Sequence, residues 1–178
     1  MYQVNELTID ENSERIEQPK NIKIQLKPHQ LAMIYAMNNL EESKKIKIPS
    51  VDQDTDEWFE TSVGCLCDKV GSGKSLTTLG LISNNPKRKS TIKVSRQYGL
   101  ITTYKYYKKY VPINLLVVPH NIIKQWENYI LDFTNFTYLI VNNKKTFVKF
   151  IDLFHKCLNE NMNLDIFNQD LILVSNTF

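Results

Sequence analysis

From Ser62 onward the chain alternates short apolar runs with amphipathic stretches, and that alternation leaves few folds open. Ser62-Val-Gly-Cys-Leu-Cys67, Asn114-Leu-Leu-Val-Val118, Phe136-Thr-Tyr-Leu-Ile-Val141 and Asp170-Leu-Ile-Leu-Val174 each have the length and apolar content of a strand. Three helical patterns lie between them. The first runs from about Lys74 to Ser83. The second carries Ile122, Ile123, Trp126, Tyr129, Ile130 and Phe133 on one broad face, and the third places Phe147, Phe150, Ile151, Phe154 and Leu158 on one apolar stripe. Strands and helices in strict alternation require crossover units, because parallel neighbours cannot be joined by a tight turn. The expected fold is α/β, with a mainly parallel sheet and helices on both faces.

The first third of the chain reads differently. Residues 1–25 form a polar arm with at most one short strand, at Ile22-Lys-Ile-Gln-Leu26, where apolar residues alternate. Pro28 sits where helices start, and Leu31, Ile34, Tyr35 and Met37 mark an apolar face up to about Glu42. Ser43 to Thr61, with Asp52, Asp54, Asp56 and Glu57 together, reads as a solvated loop. A length of 178 residues suits one domain with a real core and is tight for two. With 42% hydrophobic and 23% charged residues the balance is that of a globular protein, not a disordered tail. There is no apolar run of membrane-spanning length and no secretory leader, so no membrane is expected. Cys65, Cys67 and Cys157 cannot all pair with one another, which favours a soluble protein in a reducing, intracellular compartment, nuclear or cytoplasmic. Cys65 and Cys67 share one strand face and read as buried small hydrophobes. Lysine, asparagine and isoleucine abound while arginine occurs only at 15, 88 and 96, a bias of AT-rich genomes such as those of some large DNA viruses.

The chemistry concentrates between the first apolar run and its helix, at Cys67-Asp-Lys-Val-Gly-Ser-Gly-Lys-Ser75. A triphosphate needs backbone N–H groups aimed at its oxygens, at the positive end of a helix. Gly71 and Gly73 allow the tight turn and the close approach. Lys74 offers a cation for the β- and γ-phosphates, and the Ser75 hydroxyl a ligand for Mg2+. The nucleotide-binding segment is therefore Asp68, Lys69, Val70, Gly71, Ser72, Gly73, Lys74, Ser75 and Leu76, holding a nucleoside triphosphate with Mg2+. The strict G-x-x-x-x-G-K-[ST] pattern fails by one residue, because Asp68 stands at its first glycine.

That departure is itself informative. Asp-x-x-Gly-x-Gly-Lys-[Ser/Thr] resembles the loop of superfamily-two helicases and DNA translocases, notably the chromatin-remodeller branch. Leu26-Lys-Pro-His-Gln30 resembles the element of that family whose glutamine reads adenine. Leu115-Leu-Val-Val-Pro119 with Gln125-Trp126 resembles its motif Ia, and Leu171-Ile-Leu-Val-Ser-Asn-Thr177 resembles the strand that ends in a serine/threonine motif near the tracking strand. The resemblance implies a P-loop NTPase with a RecA-like sheet, spanning residues 26–178 and incomplete at its C-terminal end. It also implies that Gln30 contacts the adenine ring, and that Pro119, His120 and Asn121 shape a turn against a nucleic-acid backbone. Bland readings stand beside these: Gln30 as a solvent-facing first-turn residue, Asn121 as a helix N-cap, and Trp126 as core.

Between Pro86 and Pro112 lie eight basic residues, five tyrosines and no acid. The stretch at about 86–112 looks like an insertion in the family pattern, with alternation around Gly99 suggesting a hairpin. Lys105, Lys108 and Lys109 are its candidate phosphate contacts, with tyrosines to stack on bases; a solvated hairpin packed on the domain fits the same residues. The Asp-Glu box that the family uses to hold magnesium and orient water is not found. The adjacent acid pairs Asp10-Glu11, Glu41-Glu42 and Asp56-Glu57 all precede the phosphate loop. The expectation is the ATP-binding front part of a helicase motor, from a truncated reading frame, a split gene or a deliberately cut piece. Its partners would be nucleic acid and the missing C-terminal helicase portion or a partner chain. The competing classes are a non-catalytic nucleotide- or nucleic-acid-binding module and a small P-loop kinase; the kinase ranks last because no arginine follows Arg96.

Overall fold

The computed structural model describes residues 9–43, 45–48, 57–61, 63–84, 92–94, 105–107, 113–159 and 169–177. The chain divides into two compact units, Met1–Asn85 with Tyr129–Asn135, and Pro86–Asn128 with Phe136–Phe178.

In the first unit, helix α1 (Pro28–Ser43) packs on helix α2 (Lys74–Asn84). Pro28 opens α1 without loss, because the first helical N–H has no partner to lose. Of the expected apolar face only Ile34 is fully buried; Leu31, Tyr35 and Met37 are half-buried, while Gln30 and Ala32 are buried in addition. The reason is the close approach of α2. A Cβ on Gly80 would sit 2.6 Å from Ile34 Cδ1, so the contact narrows onto the Ile34 side of α1. The arm is more ordered than its polarity suggests. Gln18 donates from Nε2 to the Ile24 carbonyl and accepts the Leu26 N–H at Oε1, at 2.9 and 3.0 Å. Ile22 and Leu26 are buried with alternate spacing, yet the expected strand amounts to one bridge between Ile22 and Thr134.

Two expectations fail in this unit. Strands β1 (Lys45–Ile48) and β2 (Glu57–Glu60) pair antiparallel within the stretch read as loop. Ile46 stands opposite Phe59 and Lys45 opposite Glu60, a Lys-Ile-Lys-Ile alternation that the intervening acidic cluster obscured. Conversely, Val63–Cys67 is no strand, and Cys65 and Cys67 are exposed instead of buried. A strand needs a ladder, and no described strand pairs with this run. Thr61 Oγ1 takes the Val63 N–H at 3.0 Å, and Gly64 weakens any β preference.

The second unit holds two sheets. Strands β3 (Ile92–Val94) and β4 (Lys105–Tyr107) pair antiparallel, with Ile92 opposite Tyr107 and Val94 opposite Lys105, while the turn expected around Gly99 lies outside the described residues. The other sheet is parallel, with order β5-β7-β6 for β5 (Asn114–Val118), β6 (Tyr138–Val141) and β7 (Leu171–Ser175). Its crossovers are helix α3 (Ile123–Phe133) and helix α4 (Lys144–Asn159). The central strand β7 is the most buried, with Leu171, Ile172 and Leu173 covered, as expected for a strand packed on both sides. β5 is equally apolar but lies at the edge of the sheet formed by the described residues, and Leu115 and Val117 remain 64% and 54% exposed. Phe147 on the stripe of α4 is likewise 41% exposed.

Asp170 ties the amino ends of all three strands. Its Oδ2 accepts the Thr137 N–H and hydroxyl at 2.9 and 3.0 Å, while its carbonyl accepts the Asn114 backbone and side-chain N–H. These bonds fix the register from below and leave the carboxyl edge free for other work. Among the described residues no helix is long and apolar enough to cross a membrane.

Candidate functional site

In the first unit the chain between Cys67 and α2 forms a tight loop. Gly71 and Gly73 adopt φ of +85° and +88°, a region that other L-residues rarely enter. Nothing lies within 4 Å of a Cβ on Gly71, so conformation alone requires glycine there. At Gly73 space is short as well, since a Cβ would meet Gln30 Nε2 at 2.5 Å. The Thr77 N–H closes the first turn of α2 on the Gly73 carbonyl at 3.1 Å. The N–H groups of Lys74, Ser75 and Leu76 are thereby left without intrahelical acceptors. Alternating positive φ beside such a terminus makes a concavity of donors, which is what an anion of several oxygens requires.

Charge is placed around that concavity. Lys74 Nζ donates to the Asp68 and Lys69 carbonyls at 2.8 and 2.7 Å, strapping the loop from within. Asp68 accepts the Lys69 N–H at 2.7 Å, and its carboxyl is held below the usual range. The largest cause is the nearby Ser72 hydroxyl, short of strict hydrogen-bond geometry, then the Lys69 N–H. Val70 at the tip is fully exposed.

Gln30 is not solvent-facing. It is buried, and as the third residue of α1 its Oε1 accepts the Lys27 N–H at 2.8 Å, half of a capping box. Its Nε2 donates to the Gly73 carbonyl at 3.3 Å, so the first turn of α1 is bonded directly to the loop. Sequence reasoning missed His29, whose Nε2 lies 3.2 Å from the Ser72 carbonyl and so carries the hydrogen there. Its only sequence signal was its place beside Gln30.

A second cluster stands at the carboxyl edge of the parallel sheet. β5 ends at Val118, and Pro119 opens a 3-10 turn over His120–Ile122 without a side-chain cap. Asn121 is an exposed residue inside that turn, so the capping alternative does not hold. His120 Nδ1 lies 3.1 Å from Ser175 Oγ at the end of β7. Ser175 gives its one hydroxyl hydrogen to the Thr177 carbonyl at 2.7 Å, so His120 Nδ1 must be the donor and Nε2 is left for other partners. Asn176 N–H donates to the Val118 carbonyl at 2.9 Å. The turn after β5 and the Ser-Asn-Thr end of β7 are therefore one bonded unit, at the edge where open parallel sheets bind ligands. Trp126 is half-buried on α3. Lys108 and Lys109, and the side chain of Lys105, lie outside the described residues.

Residues 17–167 match the family model of the SNF2-related domain. The chain belongs to this family, within the superfamily-two helicases. A protein of Acanthamoeba polyphaga mimivirus named "Putative helicase R592" is 33% identical over 171 residues, an alignment covering 82% of this chain and 20% of that protein. The chain thus spans about a fifth of the length of the curated relative it matches, and a large DNA virus is that relative's source, in keeping with the lysine-, asparagine- and isoleucine-rich composition. The SNF2-related assignment establishes the expected fold class, a P-loop α/β domain of which the parallel β5-β7-β6 sheet is a part.

Proposed function

We propose that this SNF2-related chain is the ATP-binding front part of a nucleic-acid helicase or translocase, in which residues 68–76 hold Mg-ATP. The observation that carries the reading is the loop itself: two glycines at positive φ, a helix start with unpaired N–H groups, and Lys74 at its centre. Bound ATP supplies the phosphoanhydride whose cleavage drives movement. Lys74 exchanges its two carbonyl acceptors for phosphate oxygens, which are charged and bind it more strongly. Ser75, second in α2, offers its hydroxyl to Mg2+. Gln30, bonded to the loop at Gly73 with one carboxamide hydrogen to spare, is on this reading the residue that meets the adenine.

The nucleic acid then lies on the carboxyl edge of the sheet, where Pro119 shapes the turn and the backbone N–H groups of His120 and Asn121, at its start, face the phosphates. The insert at about 86–112 adds weaker contacts through Lys105, Lys108 and Lys109. The domain extends over residues 26–178, and the outer edge of β5, unpaired among the described residues and with Leu115 and Val117 exposed, suits cover by the remaining helicase portion or a partner chain. A non-catalytic binding module shares the same loop and differs only in what covers that edge.

The nucleic-acid half is tested by replacing Lys105, Lys108 and Lys109 with glutamine. Oligonucleotide binding, followed by fluorescence anisotropy across a salt series, should weaken, with the log–log slope falling by about two. Binding indifferent to the triple change would make the insert structural.

A further inference from the structure

Cys65 and Cys67 lead directly into the loop at Asp68, and their sulfurs stand 3.2 Å apart. In a strand, residues two apart share a face with their Cβ atoms about 6.7 Å from each other. A disulfide needs about 3.5–4.5 Å between Cβ atoms and about 2.05 Å between sulfurs. The extended form therefore excludes the bond. Here no described strand pairs with the run, the chain bends, and the sulfurs have about 1.1 Å left to close.

Both thiols are exposed, so a reagent in solution reaches them. The chain on either side is held. Gly64 lies against α1, where a Cβ would meet Leu40 Cδ2 at 3.1 Å, and the Asp68 carbonyl accepts Lys74 Nζ at 2.8 Å. Leu66, between the cysteines, is half-buried. The bend is thus anchored at both ends and keeps the sulfurs together. A structural zinc site fits the pair less well, since it takes four ligands. Among the described residues no group of three His, Cys, Asp or Glu stands together.

We propose that Cys65 and Cys67 are a thiol–disulfide exchange site, closed by small-molecule disulfides such as glutathione disulfide, and that closure weakens nucleotide binding at the adjoining loop. One cysteine thiolate attacks the small disulfide, forming a mixed disulfide and releasing one small thiol. The second cysteine sulfur then attacks the first, forming the Cys65–Cys67 bond and releasing the other small thiol. The two cysteine protons end on the released thiols; the cysteines are oxidised and the small disulfide is reduced. The loop is coupled because Asp68 follows Cys67 directly. Its carbonyl is one of the two that Lys74 leaves on reaching phosphate, and a ring closed at Cys67 holds that carbonyl in the strapped position. The coupling rests on the nucleotide reading of the preceding section; the exchange site does not.

The test uses the full 178-residue chain before and after treatment with glutathione disulfide. Its tryptic peptide 48–69 contains both cysteines and excludes Cys157. By mass spectrometry that peptide should be lighter by two hydrogens, resist alkylation and be restored by dithiothreitol. The exchange equilibrium should favour the bond about tenfold more in the folded chain than in urea, because folding already holds the sulfurs together. A peptide that still alkylates, a lasting glutathione adduct, or an equilibrium no better than in urea overturns the exchange site. The oxidised chain should bind a fluorescent ATP analogue about fivefold more weakly, at the low end of coupling between sites. Cys65→Ser/Cys67→Ser should bind it equally with and without glutathione disulfide. Equal affinity of the wild type in both redox states overturns the coupling. No binding in either state overturns the nucleotide reading and the coupling with it, while the peptide masses still decide the exchange site.

Discussion

Replacing Lys74 with alanine is expected to weaken Mg-ATP binding on the order of 100-fold, since hydrogen bonds to charged groups contribute about 1.5–3 kcal/mol each. Lys74 is the one cation at the centre of the loop, and it already spans the Asp68 and Lys69 carbonyls at 2.8 and 2.7 Å. The substitution therefore removes both a phosphate ligand and an internal strap. α2 should survive, because its first turn is closed by Thr77 on Gly73 and not by the lysine. Titration with a fluorescent ATP analogue, alongside far-ultraviolet circular dichroism, separates the two effects. Unchanged affinity in a folded variant would remove the loop from the binding site.

The second large effect concerns turnover. The 178-residue chain is expected to bind Mg-ATP but to release no phosphate above background, with or without single-stranded nucleic acid. Cleavage requires a held metal, an oriented water and stabilisation of charge at the γ-phosphate. On the proposed reading Ser75 is the one protein ligand offered to the metal, and after residue 76 the sequence has no adjacent acid pair and, beyond Arg96, no arginine. Steady-state phosphate release measures this. Robust turnover that Lys74→Ala abolishes would reveal a catalytic carboxylate elsewhere in the chain.

The parts of the fold that were legible in the sequence are those whose signals are local or periodic. The run Asn114–Val118 is a strand to the residue, α2 begins at Lys74, and Pro28 opens α1. Strand status was illegible where it depends on partners far along the chain. Val63–Cys67 has strand-like composition without a ladder, whereas Lys45–Ile48 gains one from Glu57–Glu60 across an acidic stretch. In the proposed site, the turn at Gly71 and Gly73 was readable because glycines two apart before a helix start form a contiguous motif. The His120–Ser175 bond was not, because it joins residues 55 apart through parallel register. Gln30 was readable as a residue of interest, but its capping bond to Lys27 and its contact with Gly73 came only from the structure.

The central claim is that Mg-ATP sits on the donors of residues 68–76. Amide hydrogen exchange of the chain with and without saturating Mg-ATP measures those donors directly. The expected result is slowed exchange at Gly71, Gly73, Lys74, Ser75 and Leu76, whose N–H groups acquire phosphate acceptors, with the carboxyl-edge turn at His120–Ile122 unchanged. Saturable ATP binding that leaves exchange in this loop unaltered would contradict it.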